Sequence, residues 1–313
     1  MQRHSSKVRG ERASARRTLD AWTRHATTLV QSWWGGGGGG DTGGVAATYL
    51  DRILDAHRAA ATADRRSRGQ VEAAAEQAVA DGPTRGFRAG LAADHGAGHL
   101  AVVAEIKRRS PSKGDLAPGL VPGRVAESYA EGGAAALSVL TDADAFGGAP
   151  ADLAEARSAC ELPVLRKDFT VVEVDVLDAR AMGADAVLLI AAALDDHELA
   201  DFRALAVGLG LDALVECHDE AEVERALEAG ADLVGVNQRD LVSFEVDTAR
   251  AVRVAPEIPA DVVRVAESGV RGPDDARRLA DAGYHAVLVG EALVTRPDRA
   301  EAVAALRAAR THA

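Results

Sequence analysis

Charged and amide side chains recur in this chain at the ends of short apolar runs, and that placement is the first clue to its chemistry. The runs close as Ala104-Glu105-Ile106-Lys107, Leu140-Thr141, Arg166-Lys167-Asp168-Phe169, Val215-Glu216, Val236-Asn237-Gln238-Arg239, Ala266-Glu267-Ser268-Gly269 and Val289-Gly290-Glu291. Lys107, Lys167, Glu105, Glu216, Glu267 and Asn237 are the groups there that donate, accept or orient protons. Residues two apart in a strand share a face, so Glu105 points with Lys107, and Asn237 with Arg239. Burying that many charges is too costly unless they pair and act together. Ser268-Gly269 and Gly290-Glu291 either close tight turns or offer a seat for phosphate. Glycine lets backbone N–H groups approach an anion, and a short helix N-terminus supplies a favourable dipole. Lys113 and Arg109 in the first loop could screen such a phosphate. The chain has no P-loop, no H-E-x-x-H and no nucleophile elbow, its nine histidines form no ligand pair, and Cys217-His218 reads as loop packing.

These groups need a scaffold that brings strand ends to one rim. The runs Leu100–Ile106, Ala135–Leu140, Val164–Leu165, Ala186–Ile190, Ala213–Val215, Leu233–Val236, Val262–Val265 and Ala286–Val289 are predicted strands, each followed by an amphipathic helical stretch. The repeat recurs about every 20–35 residues, the length of one βα unit. Several helices stop in the same way, at Gly132-Gly133, Gly183, Gly230 and Gly283, where a left-handed glycine ends the helix before the next strand. Eight such repeats predict an α/β fold, a (β/α)8 TIM barrel, with chemistry on the βα loops. A doubly wound open sheet is the alternative. It is disfavoured because no G-x-G-x-x-G follows the first strand, and eight parallel strands of similar length close more readily.

Ahead of the first strand, Thr48 caps a helix with Tyr49, Ile53 and Leu54 on one face. A polar, alanine-rich helix follows to about Ala80, Asp81-Gly82-Pro83 breaks it, and a short helix spans Arg85–Ala93. The chain therefore divides into an arm over 1–44, a helical N-terminal extension over 45–99 and the barrel over 100–313.

Of 313 residues, 47% are hydrophobic, enough for a large core. The longest apolar runs, such as Ala186–Leu194, are about half a membrane span, which excludes an integral membrane protein. A net charge of −12 argues against duplex nucleic acid as partner. Two cysteines far from any C-x-x-C spacing make a disulfide framework or structural zinc improbable, and a reducing cytoplasm is expected.

The strand-end residues resemble those of one family, indole-3-glycerol-phosphate synthase. The run Glu105 to Gly114 (EIKRRSPSKG) is similar to its signature E-x-K-x-x-S-P-S-x-G. Ser138-Val139-Leu140-Thr141 with Phe146-Gly147-Gly148, then Lys167-Asp168-Phe169, Glu216, Asn237-Gln238-Arg239-Asp240-Leu241, Glu267-Ser268-Gly269 and Gly290-Glu291-Ala292-Leu293, follow in family order from about Thr48 to about Arg307. The resemblance implies ring closure, decarboxylation and dehydration of 1-(2-carboxyphenylamino)-1-deoxyribulose 5-phosphate, without cofactor or metal. It implies Lys167 as the acid on the ribulose carbonyl, Lys107 against the substrate carboxylate, and Glu216 and Glu105 as acid–base carboxylates. Asn237 and Glu267 would hold ribulose hydroxyls and orient the lysines, and Arg239 would support the site electrostatically. Phosphate would sit on the backbone of Gly269 and Gly290-Glu291 beside Ser110 and Ser268, with Phe146 and Phe169 packing the anthranilate ring. Many relatives have serine at the place of Glu291, so only an N–H contact is expected there. Related phosphate-binding isomerases work with Cys/Asp or Asp/Asp pairs at strand ends, which this chain lacks. The expected partner is a small phosphorylated substrate, with no nucleic acid or membrane, and the protein is expected to be a monomer or weak homo-oligomer.

Residues 1–40 carry seven basic side chains against two acidic ones, all three tryptophans and the run Gly35–Gly40. A six-glycine run has too much backbone entropy to hold one shape. The arm reads as an extension the chemistry does not need, and a translation start at a valine codon for Val45 would omit it. Deleting residues 1–44 should therefore leave turnover of the anilino-ribulose phosphate intact, as followed by indole fluorescence. A collapse of turnover in that variant would show that the arm takes part.

Overall fold

The computed structural model of the chain describes residues 48–309, so the arm assigned to 1–44 lies outside the described residues. Eight parallel strands form the centre: β1 (Ala101–Ile106), β2 (Ala136–Leu140), β3 (Val164–Lys167), β4 (Ala186–Ile190), β5 (Asp212–Cys217), β6 (Leu233–Asn237), β7 (Val263–Glu267) and β8 (Ala286–Val289). β1 pairs with both β2 and β8, so the sheet is a closed barrel and not the open alternative. Around it, in chain order after three leading helices, run α4 (Pro122–Glu131), α5 (Ala143–Phe146), α6 (Pro150–Ala159), α7 (Glu173–Ala181), α8 (Asp196–Gly208), α9 (Glu220–Glu228), α10 (Arg250–Val254), α11 (Pro273–Asp281), α12 (Glu291–Val294) and α13 (Arg299–Arg307). No helix among the described residues is long and apolar enough to cross a membrane.

The helix stops behave as expected: Gly133, Gly183, Gly230 and Gly283 have φ of 83°, 85°, 81° and 89°, the left-handed conformation that glycine takes most cheaply. The strands outrun their apolar segments. β3 continues to Lys167, in register with Leu140, and β7 to Glu267, in register with Asn237. Polar side chains end the hydrophobic run, but the backbone ladder continues beneath them and fixes their direction.

Alternate strand residues fill two cores. Val103, Leu165, Leu188, Leu214, Leu233 and Val265 belong to the set inside the barrel, whereas Val102, Leu137, Val139, Leu189 and Val236 pack outward against the helices. Two of the leading helices close the barrel ends. α3 (Phe87–Gly96) places the fully buried Phe87 and Leu91 in the interior set. It is held to the N-terminal rim by backbone N–H groups of Arg85 and Arg88, which donate to Asp185 (2.7 Å) and Asp212 (2.8 Å). α2 (Arg68–Asp81) runs down the outside against α7.

α1 (Tyr49–Ala63) covers the opposite rim. Thr48 and Asp51 close its first turn as a capping box, and Leu50 and Leu54 are buried with Phe169, Val171 and Ile190. One polar contact fixes it further. His57 Nε2 lies 3.0 Å from Asp142 Oδ2 and 4.0 Å from Asp168 Oδ1, and its ring sits 5.3 Å from that of Phe169. The hydrogen bond to Asp142, aided by the charge of Asp168 and opposed by burial, raises the His57 pKa above its ordinary value. The interaction thus stabilises the fold fully below the unfolded value and is lost as pH climbs through the raised one. His57→Ala should destabilise the protein by about 1–2 kcal/mol below roughly pH 6.5, with the penalty shrinking on going alkaline. Thermal melts of both proteins across pH test this; a pH-independent difference contradicts a charged contact.

Candidate active site

The strand register gathers the polar residues into one layer at the C-terminal rim. Glu105 stands level with Ser138, Lys167 with Leu140, Glu216 with Ile190, and Asn237 with Glu267. A cavity of about 610 Å³ opens above them. Every residue assigned to the site from the sequence lines it: Lys167, Lys107, Glu216, Glu105, Asn237 and Glu267 on the floor and wall, with Ser110, Phe146, Phe169, Arg239, Ser268, Gly269, Gly290 and Glu291 around them.

The floor is a network of ion pairs. Lys167 Nζ lies 3.3 Å from Glu216 Oε2 and 4.0 Å from Glu267 Oε2, and Lys107 Nζ lies 2.5 Å from Glu105 Oε1. Asn237 donates to Glu216 Oε1 at 2.9 Å while its own Oδ1 accepts the Arg239 N–H at 3.0 Å. Burial by itself would favour loss of the proton from Lys167, but the carboxylates of Glu216, Glu267 and Glu105 outweigh it, so Lys167 holds its proton more tightly than a free lysine. Burial likewise presses Glu216 toward its neutral form, and the charges of Lys167 and His218 with the Asn237 hydrogen bond overcome it, leaving Glu216 more acidic than usual. Glu267 goes the other way. Burial and the neighbouring Glu216 charge raise its pKa well above normal, so this pair keeps one charge and one proton.

Two glycines make room for these groups. Both Glu216 and Val265 face Gly235 in the ladder, and a Cβ on Gly235 would overlap Glu267 Oε1. A Cβ on Gly290 would overlap Glu105 Oε1 and come within 3.0 Å of Lys107 Nζ. At the rim, Ser268 and Gly269 both have positive φ, 63° and 74°. Ser268 is held there by Gln238, whose Nε2 donates to its carbonyl at 2.7 Å. A non-glycine residue in this region is strained and persists only where its surroundings over-determine it.

Several placements differ from expectation. Lys107 and Arg239 lie just past the last strand residue but still face the cavity. Arg239 reaches Ser112 of the first loop (3.4 Å) and the carbonyl of Phe244 (3.1 Å). The Glu291 side chain is engaged, pairing with Lys113 Nζ at 2.8 Å across the mouth. Arg109 turns away from the cavity to carbonyls of Ala143 and Asp144. His218 is more than loop packing, with Nε2 3.6 Å from Glu216 Oε1.

Other contributors went unread. Tyr49, Leu50 and Ile53 bring α1 into the cavity wall, and Phe244, with φ of 60°, packs its ring 5.0 Å from Tyr49. The helical face of Tyr49 and Ile53 was the available signal; Phe244 carried none. His57, Asp142 and Asp168 bring ligand atoms within 4.8 Å of one another, as a metal site would. Their oxygens are already committed. Asp142 Oδ1 caps α5 through the N–H groups of Ala145 and Phe146, and Asp168 accepts from Thr141, Arg166 and the Phe169 N–H. The trio is better described as the latch that sets Phe146 and Phe169.

A (β/α)8 barrel with paired ammonium and carboxylate groups buried at its C-terminal rim defines an acid–base enzyme acting on a small anionic molecule. Residues 50–306 match the family described as indole-3-glycerol phosphate synthase, and the chain belongs to that family. It is 47% identical over 261 residues to the indole-3-glycerol phosphate synthase of Variovorax paradoxus, covering 82% of this chain and 98% of that one. Against indole-3-glycerol phosphate synthase 1 of Streptomyces coelicolor it is 49% identical over 263 residues, 84% and 96% of the two chains. Among solved structures it resembles 3-hexulose-6-phosphate synthase, with a TM-score of 0.55 at 19% identity over 67% of this chain and 100% of that one. A thiamine phosphate pyrophosphorylase from Pyrococcus furiosus gives 0.51 at 19% identity, over 66% and 93%. Both likenesses concern the barrel alone. The chain accordingly has indole-3-glycerol-phosphate synthase activity, a carboxy-lyase step of tryptophan biosynthesis that acts on a phosphorylated substrate.

Gly235 is a position where the site can be disturbed without substituting one of its ionisable residues. Gly235→Ala should fold, since alanine is tolerated in a strand, but must displace the Glu267 carboxyl. Displacement by about 1 Å costs on the order of 10²-fold in kcat. Steady-state kinetics beside a thermal melt check this, and parental turnover in a folded variant contradicts it.

Proposed function

We propose that Lys167 is the acid of ring closure. The observation that carries this reading is its position, with its Nζ held by Glu216 and Glu267 on the floor of the cavity. The ring carbon bearing the anthranilate carboxylate attacks the ribulose carbonyl carbon, and the carbonyl oxygen takes a proton as the new bond forms. Loss of CO2 then restores the aromatic ring, and loss of water completes the indole. The first proton must come from a group that is charged beforehand and aimed, and the carboxylates around Lys167 meet both conditions.

Lys107 fastens the substrate carboxylate, as its charge and rim position favour, until that group leaves as CO2. Glu105 and Glu216 exchange the protons of dehydration, Glu105 through the ammonium it touches and Glu216 directly. Asn237 keeps Glu216 turned toward Lys167, and Glu267, carrying a proton, donates to a ribulose hydroxyl. Phosphate sits on the N–H groups of Gly269 and of Gly290-Glu291, beside the hydroxyls of Ser110 and Ser268 and within reach of Lys113. Arg239 ties the first loop to the loop after β6 and adds positive charge. Phe146 and Phe169, with centroids 6.5 Å apart, supply the apolar wall for the anthranilate ring. Leu50 and Ile53 of α1 exclude water from the same side.

Lys167→Ala should leave the barrel folded and lower kcat by roughly 10²- to 10⁴-fold, the range for loss of a positioned general acid. Indole fluorescence reads the rate and circular dichroism the fold; a folded variant with near-parental turnover removes Lys167 from this role.

A further inference from the structure

His218 is the first residue past β5 and does not line the cavity, yet its ring stands directly behind the carboxylate of Glu216. Two contacts to one atom fix it. The His218 backbone N–H donates to Glu222 Oε2 at 2.8 Å, and ring Nδ1 meets the same oxygen at 3.0 Å. Glu222 itself lies in the first turn of α9, where its N–H is capped by Asp219 at 2.9 Å. A ring nitrogen faces a carboxylate oxygen as an N–H donor, so Glu222 sets the proton on Nδ1. The second nitrogen, Nε2, is buried, has no hydrogen-bond partner, and points at Glu216 Oε1 from 3.6 Å. A buried ring nitrogen aimed at a buried carboxylate is best satisfied by a second proton, which makes the ring an imidazolium between two carboxylates.

The charged groups around it agree. Burial and the Arg250 charge work against the cation, but the Glu222 hydrogen bond and the charges of Glu216 and Glu222 outweigh them, so His218 holds its proton more tightly than a free histidine. Glu216 thus faces three donors: Lys167, Asn237 and His218. Glu267 has Lys167 at 4.0 Å and shares a hydrogen bond with Glu216 itself, and its Oε1 sits buried in the gap beside Gly235.

We propose that His218 is a positioning residue for the reaction: clamped by Glu222, it holds Glu216 ionised and turned toward Lys167, and so decides that the proton shared by the two buried carboxylates rests on Glu267. The inference rests on the roles given to Lys167 and Glu216 above. With the cation gone, Glu216 competes for that proton, and the fraction of enzyme with a charged Glu216 falls as pH drops. Because His218 does not touch the cavity, substrate affinity should hardly change.

The test is kinetics over about pH 5 to 9 for His218→Asn, which keeps a donor for Glu222 without the charge, and for Glu222→Gln, which keeps the ring anchored but weakens its charge. His218→Asn should lower kcat about tenfold near neutrality and move the acid limb of kcat up by roughly one pH unit, with KM unchanged. Glu222→Gln should shift the limb in the same direction by less, and serves as the readout should the asparagine variant fail to fold. Glu216→Gln is the control. If it loses turnover while both other variants keep the parental pH profile, the inference about His218 is overturned and the role of Glu216 stands. If Glu216→Gln itself turns over normally, the role of Glu216 is overturned and this inference goes with it.

Discussion

An ammonium group in a closed barrel keeps its charge only if carboxylates surround it, and Lys167 imposes that condition on much of the rim. Glu216 and Glu267, 1% and 2% exposed, supply the field. Placing two carboxylates so close forces one of them to carry a proton. Room for the neutral one comes from a missing side chain at Gly235 on the neighbouring strand. A strand glycine is costly in a barrel otherwise filled by leucine, valine and alanine, and its presence follows from the carboxyl it accommodates. The same logic repeats across the barrel, where Gly290 clears space for the Glu105–Lys107 pair. The ion layer is therefore a packing problem as much as an electrostatic one, with charge and volume settled by the same residues.

The extension serves this arrangement by sealing both ends. α3 fills the bottom with Phe87 and Leu91, so the ion layer rests on a dry floor. α1 lies over the opposite rim and adds apolar wall through Leu50 and Ile53. Excluding water raises the strength of every ion pair beneath. It also makes an unpaired group there expensive, which is why so few charges of the layer lack a partner. His57 connects this cover to the loops after β2 and β3, and thus to Phe146 and Phe169. Docking of the cover and placement of the aromatic wall are parts of one structure.

How much of this was legible in the sequence follows from how each feature is encoded. Strands and helix stops are written locally, in runs of apolar residues with period two and in single glycines such as Gly183 and Gly230. Once eight of them were counted, barrel geometry alone placed Glu105, Lys167, Glu216 and Glu267 at one rim. Pairings encoded by distant residues left no local trace. His57 and Asp142 are 85 positions apart, and Lys113 and Glu291 are 178 apart. Nothing in TYLDRILDAH marks its histidine as a latch rather than a solvated face. Gly235 sits in an apolar run where a glycine reads as a weak strand, and only the position of Glu267 gives it meaning. His218 was within two residues of a recognised glutamate and still read as packing, since the direction of its ring depends on Glu222 in the next helix.

The Lys113–Glu291 pair shows how a rim contact can be compatible with the chemistry while seeming to oppose it. A carboxylate beside Gly290 stands where phosphate is proposed to sit, and two anions there would repel. Lys113 covers that charge at 2.8 Å, but both side chains are well exposed, 57% and 40%. An ion pair in that setting contributes little to stability and is readily exchanged. A phosphate in the proposed seat would therefore offer Lys113 a more highly charged partner in place of a weak one. In that proposal the backbone N–H groups are the fixed part of the site and Lys113 the mobile part. On the proposed placement of the phosphate, recognition would rest on the turn at Ser268-Gly269, where both residues have positive φ, and on Gly290, and not on the side chain of Glu291.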